Sequence, residues 1–316
     1  MKTPEQQGPK RKILITGAGG FLGRFFCREL EKQGHLIFKT SSKTCDLTKE
    51  NALKQFEGEK LDWIIHLAAW TQAGDFCLKH PGEQWLINQK INTNVLAFWQ
   101  EQMPRAKLLA MGTSCAYDPK LPLQEEYYLE GKPIESLFTY AMAKRMLYAG
   151  ILALHQQYGL NYLYLVPSTL YGPEYHLDGR QMHFIFDLIR KILKGKYLNE
   201  EVVLWGDGHQ KRELVQVGDF VRTALNLMQT LSNQIVNLGS GEEYSIREFA
   251  KKICFLTGYD FTKIKFDLTR YVGAKSKVLS IEKIRSLLPG AQKTPLEEGL
   301  KETIGWFLKN KEKILK

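Results

Sequence analysis

The chain has 316 residues, 44% of them apolar, with 44 Lys and Arg against 34 Asp and Glu for a net charge of +10. This length and apolar content bury a large core in two lobes, which excludes a disordered or fibrous chain. The surplus positive charge favours an anionic partner, and because the basic residues are scattered and form no block, that partner reads as a phosphorylated small molecule and not as nucleic acid.

Residues 1–11, MKTPEQQGPKR, are polar and read as a flexible leader without the apolar core of a signal peptide. No later run reaches the ~18 apolar residues of a membrane span, so no membrane partner is expected. Short apolar runs at 12–16, 36–40, 62–68, 107–113 and 161–166 alternate with helical patterns and predict a doubly wound parallel α/β sheet, a Rossmann dinucleotide-binding domain over 12–170. After Pro167 the rhythm loosens into a helix near 181–194, strands at 202–205 and 235–238, and helices near 245–256 and 296–308. Residues 171–316 are therefore expected to form mainly a smaller mixed α/β substrate-binding lobe, with segments returning to the first domain. Five cysteines, Cys27, Cys45, Cys77, Cys115 and Cys254, have no C-x-x-C or metal spacing. Their odd number speaks against a disulfide framework, so no metal is expected and a reducing, cytoplasmic setting is.

Directly after the first strand and before an amphipathic helix comes GAGGFLG, with Gly17, Gly20 and Gly23 three apart. A tight turn, a close approach to a pyrophosphate and close helix-strand packing each ask there for a residue without Cβ, and the helix N-terminus then faces the phosphates. The second strand ends in FKTSSK, with Lys39 and no carboxylate to hold a ribose hydroxyl. Basic and hydroxyl groups suit a 2′-phosphate, which favours NADP over NAD; Lys39 as an ordinary surface lysine is the plainer alternative. The fourth strand closes on TSCAYD, and TYAMAK follows. Tyr140 and Lys144 stand four apart on one helix face, where an ammonium lowers a phenol pKa from about 10 by favouring the phenolate. Thr113, at the strand end, can donate to the same substrate oxygen.

The G-x-x-G-x-x-G loop with this Thr, Tyr and Lys resembles the extended short-chain dehydrogenase/reductases. The resemblance implies hydride transfer in which Tyr140 exchanges the hydroxyl proton, Lys144 tunes it and holds the nicotinamide ribose, and Thr113 orients the oxygen. It also implies a cofactor site completed by Phe21 and Leu22 in the loop, Asp46 and Leu47 near the adenine, Leu67, Ala68 and Ala69 after the third strand, and Pro167 after the fifth. Sugar dehydratases of this group carry carboxylates after the strand-end Thr. Here Ser114 and Cys115 stand there, which argues against dehydration.

The stretches GTSCAYDPKLPLQEEYYLEGKPIESLFTYAMAK, VPSTLYGP, MHFIFDLIRK and VVLWGDGHQKRELVQVGDF, and more loosely PLEEGLKETIGWFLKN, sharpen the resemblance to the GDP-L-fucose synthases. These are 3,5-epimerase/4-reductases of a GDP-4-keto-6-deoxy sugar. The resemblance implies that Cys115 and His183 are the acid-base pair of epimerisation, since protons beside a ketone are acidic and both groups titrate near neutrality. It implies that Arg212 holds the sugar-nucleotide diphosphate, with Arg190, Lys191 and Lys277 as weaker candidates and Trp205 near the nucleotide. A small buried thiol, an ordinary helix histidine, a surface arginine and a core tryptophan are the plainer readings of Cys115, His183, Arg212 and Trp205. Two departures fall where the hexose is read, WTQAGDF at 70–76 and Thr169. Homodimers are expected by resemblance. An NAD-retaining sugar 4-epimerase or 4-dehydrogenase and a non-catalytic dinucleotide sensor are the rival readings, the second disfavoured by the intact Tyr and Lys.

Overall fold

Apart from the partly exposed edge run at 36–39, each apolar run of the first half alternates its side chains between two buried faces, which is why it reads as continuously apolar. In the computed structural model, which describes residues 9–270 and 275–314, these runs form β1 (Lys12–Thr16), β2 (Leu36–Lys39), β3 (Trp63–His66), β4 (Lys107–Met111) and β5 (Tyr162–Pro167). Leu14, Ile64, Leu108 and Tyr164 point to one face with Val95, Trp99 and Leu147. Ile13, Ile65, Leu109 and Leu165 point to the other with Phe26, Leu30 and Phe220. Between the strands lie α1 (Phe21–Lys32), the single turn α2 (Phe76–Lys79), α3 (Pro81–Gln102) and α4 (Phe138–Tyr158). Residues 1–8 of the expected leader lie outside the described residues.

The second half runs β6 (Thr169–Tyr171), α5 (Phe184–Leu198), β7 (Val203–Trp205), β8 (Lys211–Gln216), α6 (Val217–Thr230), β9 (Gln234–Leu238), β10 (Glu243–Ser245), α7 (Ile246–Thr257), β11 (Lys265–Asp267), α8 (Glu282–Leu287), α9 (Leu296–Lys309) and α10 (Lys311–Ile314). The strand β9 pairs in parallel with β5 and completes a six-stranded sheet in the order β2-β1-β3-β4-β5-β9. The order reverses between β1 and β3, and ligands of such sheets bind outside the carboxyl ends of the strands at that switch point. A three-stranded sheet β10-β8-β6 and the pair β11-β7 lie apart from it. They share a separate core with α5, α7 and α9 through Phe186, Ile189, Phe249, Ile253, Leu300 and Phe307.

The two cores are fastened together beside the glycine loop. Phe21 sets its ring edge-on against Tyr175 at 5.1 Å and Phe186 at 5.7 Å, and Tyr175 stacks on Phe186 at 3.7 Å. Arg28 holds both carboxylate oxygens of Glu174 at 2.7 and 2.6 Å, and Arg24 donates to the Glu174 carbonyl. Among the described residues no helix is long and apolar enough to cross a membrane, and no three His, Cys, Asp or Glu side chains gather as metal ligands.

Candidate active site

Gly17 takes φ +70°, and a Cβ there would lie 2.9 Å from the Ala68 nitrogen. Gly23 is tighter: its Cβ would lie 2.3 Å from the Gly17 carbonyl oxygen and 2.8 Å from Ala18. The loop therefore folds into a cradle that side chains would fill, against Leu67, Ala68 and the following Ala69, with Gly20 as the N-cap of α1. Gly23→Ala is expected to push α1 off the loop, costing about 1–3 kcal/mol. A thermal melt and a cofactor titration on the variant read both losses.

Thr16, at the end of β1, bonds His66 Nδ1 at 2.8 Å and accepts from the Leu67 and Ala68 N–H groups. The other ring nitrogen of His66 meets Asn92 at 3.2 Å. Burial, then the charge of Lys144, pushes His66 down to about 4, so its ring is neutral. This histidine escaped the sequence reading, although a lone His in an apolar strand was its visible signal. The expected Asp46 is exposed and caps its own turn, taking the Thr48 N–H and hydroxyl, while Leu47 is buried.

Gly112 leaves the sheet after donating to the Leu165 carbonyl, and Thr113 turns to accept the Cys115 N–H at 3.3 Å. Tyr140 stands near the start of α4 and Lys144 one helical turn later. A buried ladder of tyrosines ties their backbone to the strand end: Thr113 N–H donates to the Tyr128 hydroxyl at 3.3 Å, the Tyr128 and Tyr164 hydroxyls bond at 3.1 Å, and Tyr164 donates to the Lys144 carbonyl at 2.8 Å. With the Tyr164 proton committed to that carbonyl, Tyr128 is the donor to Tyr164.

The expected lowering of the Tyr140 pKa by Lys144 is not what this site does. Burial raises the phenol, and negative charge at Cys115 raises it further, while Thr113 only partly offsets the rise. Lys144 is buried and pushed down to about 8 by that burial. Desolvation is the largest cause at both groups. The protein alone thus holds Tyr140 as an acid.

Cys115 is half-buried, and its Sγ accepts from Lys277 Nζ at 3.1 Å. Burial would raise the thiol, but the Lys277 ammonium and its hydrogen bond, with Thr113 and Arg212, outweigh it and lower the pKa. Lys277, expected to hold an anion of the substrate, is committed to this sulfur. His183 is the N-cap residue of α5. Desolvation, then the same Lys277 charge and His176, pushes its pKa down. One ammonium therefore acts on both Cys115 and His183. Lys277→Met is expected to move the midpoint of Cys115 alkylation with pH upward, because the thiolate loses its counter-ion. Rates of iodoacetamide labelling across pH check this.

Residues 13–239 match the NAD dependent epimerase/dehydratase family. The chain belongs to that family. It is similar to the GDP-L-fucose synthase of Dictyostelium discoideum, 30% identical over 315 residues, with 96% of this chain and 97% of the relative covered. It is similar also to the GDP-L-colitose synthase of Yersinia pseudotuberculosis, 29% identical with 95% of this chain and 99% of the relative covered. A solved GDP-L-fucose synthetase from Naegleria fowleri bound to NADP superposes with a TM-score of 0.84 at 28% identity, covering 98% of this chain and 97% of that one.

In this member of the epimerase/dehydratase family the remaining expected residues fall in three places. Ser114 is buried beside Thr113, while Pro167 ends β5 and Thr169 opens β6. Arg212 donates to the Lys211 carbonyl at 2.7 Å, and its charge reaches Cys115. On α5, Arg190 and Lys191 both pair with Asp187, and Lys191 also donates to the Val203 carbonyl at 3.2 Å. Trp205 is 55% exposed, which rules out core burial, and it lies between the Lys191 and Arg270 charges at 6.0 and 5.4 Å from its ring. The segment 70–76 is pinned at both ends, by Trp70 N–H on the Asn88 side chain at 2.9 Å and Asp75 N–H on Gln181 at 3.1 Å. It therefore borders the approach to His183. A cavity of about 570 Å³ between Tyr171, Asp219, Arg285 and Lys293 contains none of these groups.

Proposed function

We propose that this protein reduces the C4 ketone of a nucleotide-diphosphate sugar, GDP-linked, with NADPH, after Cys115 and His183 invert a carbon beside that ketone. The observation that carries the reading is the turn at the end of β4, where Thr113, the protonated Tyr140 and the Cys115–Lys277 pair meet. The cradle at Gly17 and Gly23 fits a pyrophosphate, and a pocket of about 440 Å³ bearing Arg24, Arg28 and Lys39 fits a 2′-phosphate. NADPH, when bound, supplies the hydride.

The protein's own groups handle the protons. Cys115, held toward its thiolate by Lys277, removes a proton from the carbon beside the ketone. His183, whose pKa is lowered, gives up a proton readily once charged and serves the opposite transfer. Tyr140 then protonates the C4 oxygen, with Thr113 orienting it. A phenol kept protonated suits reduction; oxidation of a sugar hydroxyl, as a 4-epimerase or 4-dehydrogenase performs it, needs the phenolate.

Trp205 with its flanking cations and Arg212 are assigned to the nucleotide and its diphosphate, and 171–316 mainly to the substrate lobe, with β9 and α6 returning to the six-stranded sheet. A second copy of the chain completes the reading: α3 and α4 pack as a pair, and each leaves a large apolar side chain in the open, Leu86 and Met146. The deciding experiment is the product mass after incubation with GDP-4-keto-6-deoxymannose and NADPH in heavy water. Reduction with deuterium on carbon is the expected result. Reduction without it would make the protein a plain 4-reductase, and no turnover would assign it another sugar, read by 70–76 and Thr169.

A further inference from the structure

The pocket over the carboxyl ends of β1 and β2 carries charges of both signs. Its walls include Arg24, Arg28, Lys39, Ser41 and Thr44, and also the carboxylate of Glu31. Lys39 is not free to meet a ligand: its ammonium lies on Glu31 Oε1, in the last turn of α1. Both side chains are about half exposed, at 48% and 49%. Arg28 is likewise taken by Glu174, and Arg24 by the Gly19 and Glu174 carbonyls. A 2′-phosphate enters this pocket close to a dianion at neutral pH. It meets Lys39 in competition with Glu31, whose charge stands beside it.

We propose that Glu31 is a specificity-determining residue for the cofactor, one that opposes the 2′-phosphate by holding Lys39 and so narrows the preference for NADPH over NADH. Exposed ion pairs are weak, so the phosphate breaks this one, but it binds less tightly than the three cations alone would allow. A cofactor with a 2′-hydroxyl displaces nothing, and Glu31 can accept its hydroxyl hydrogen. The same carboxylate thus opposes one cofactor and accommodates the other.

The test is the dissociation constant of NADPH and of NADH, read by nicotinamide fluorescence and calorimetry, for the wild type, Glu31→Gln, Lys39→Gln and the double variant. Glu31→Gln is expected to tighten NADPH about three- to tenfold at low salt, with the gain shrinking as salt is raised, and to leave NADH unchanged or weaker. In the Lys39→Gln background the gain should shrink, because no ammonium is left to release and only the repulsion between Glu31 and the phosphate remains. An NADPH affinity that stays level or falls in Glu31→Gln, or a gain that keeps its full size without Lys39, overturns the proposal.

Discussion

Tyr140→Phe is expected to slow reduction of the 4-keto sugar by about 10²–10⁴-fold while NADPH binding stays near the wild-type value. In the proposed reaction the phenol is the acid that meets the developing C4 oxygen, and burial together with the Cys115 charge keeps it protonated. Phenylalanine keeps the ring, so the packing at the start of α4 survives and the lost proton is isolated as the cause. Stopped-flow decay of NADPH absorbance measures the chemical step directly. A variant that retained the full rate would remove Tyr140 from the reaction and the proposed reduction with it.

Cys115→Ser should abolish carbon-bound deuterium while leaving reduction in place. A serine hydroxyl beside Lys277 is far too weakly acidic to take over from a thiolate, so exchange beside the ketone should drop by at least about 10²-fold. Tyr140 and Thr113 remain where they are, and the product should be a reduced sugar that has not been inverted. Mass spectrometry and NMR of the product in heavy water separate the two outcomes. Equal loss of exchange and reduction would mean that the two proton chemistries cannot be divided.

Local signals carried most of what could be anticipated. The cradle was legible because Gly17 and Gly23 lie next to the atoms that a Cβ would strike. Tyr140 and Lys144 were legible because four residues is one helical turn. The parallel strands were legible as apolar runs, although β2, β3 and β4 stop short of the expected ends, where Thr113 and its neighbours leave the ladder to form turns. The strands of the small sheet have three to six residues, too few for a clear period, and α6 is capped by the unusual Gln216, which accepts from Gly218 and Asp219. The electrostatics were not legible. Lys277 meets Cys115 across 162 residues, and Lys39 meets Glu31 from a different element, so no spacing announces either pair. The direction of the Tyr140 shift likewise depends on how deeply the fold buries the phenol, and adjacency in sequence does not report depth.

The contacts of Phe21 and of Arg24 and Arg28 with residues 174–186 bear on how the molecule can move. A hinge between the dinucleotide-binding sheet and the smaller lobe would have to part an aromatic trio, one pair stacked and the third ring edge-on, and the Arg24 and Arg28 contacts with Glu174 at once. In the proposed reaction, the helix that would receive the pyrophosphate and the segment that carries His183 are thus tied to each other directly. On that reading these contacts set the spacing between the hydride-donor and proton-donor positions, and the ligands are the parts that thread in and out between them.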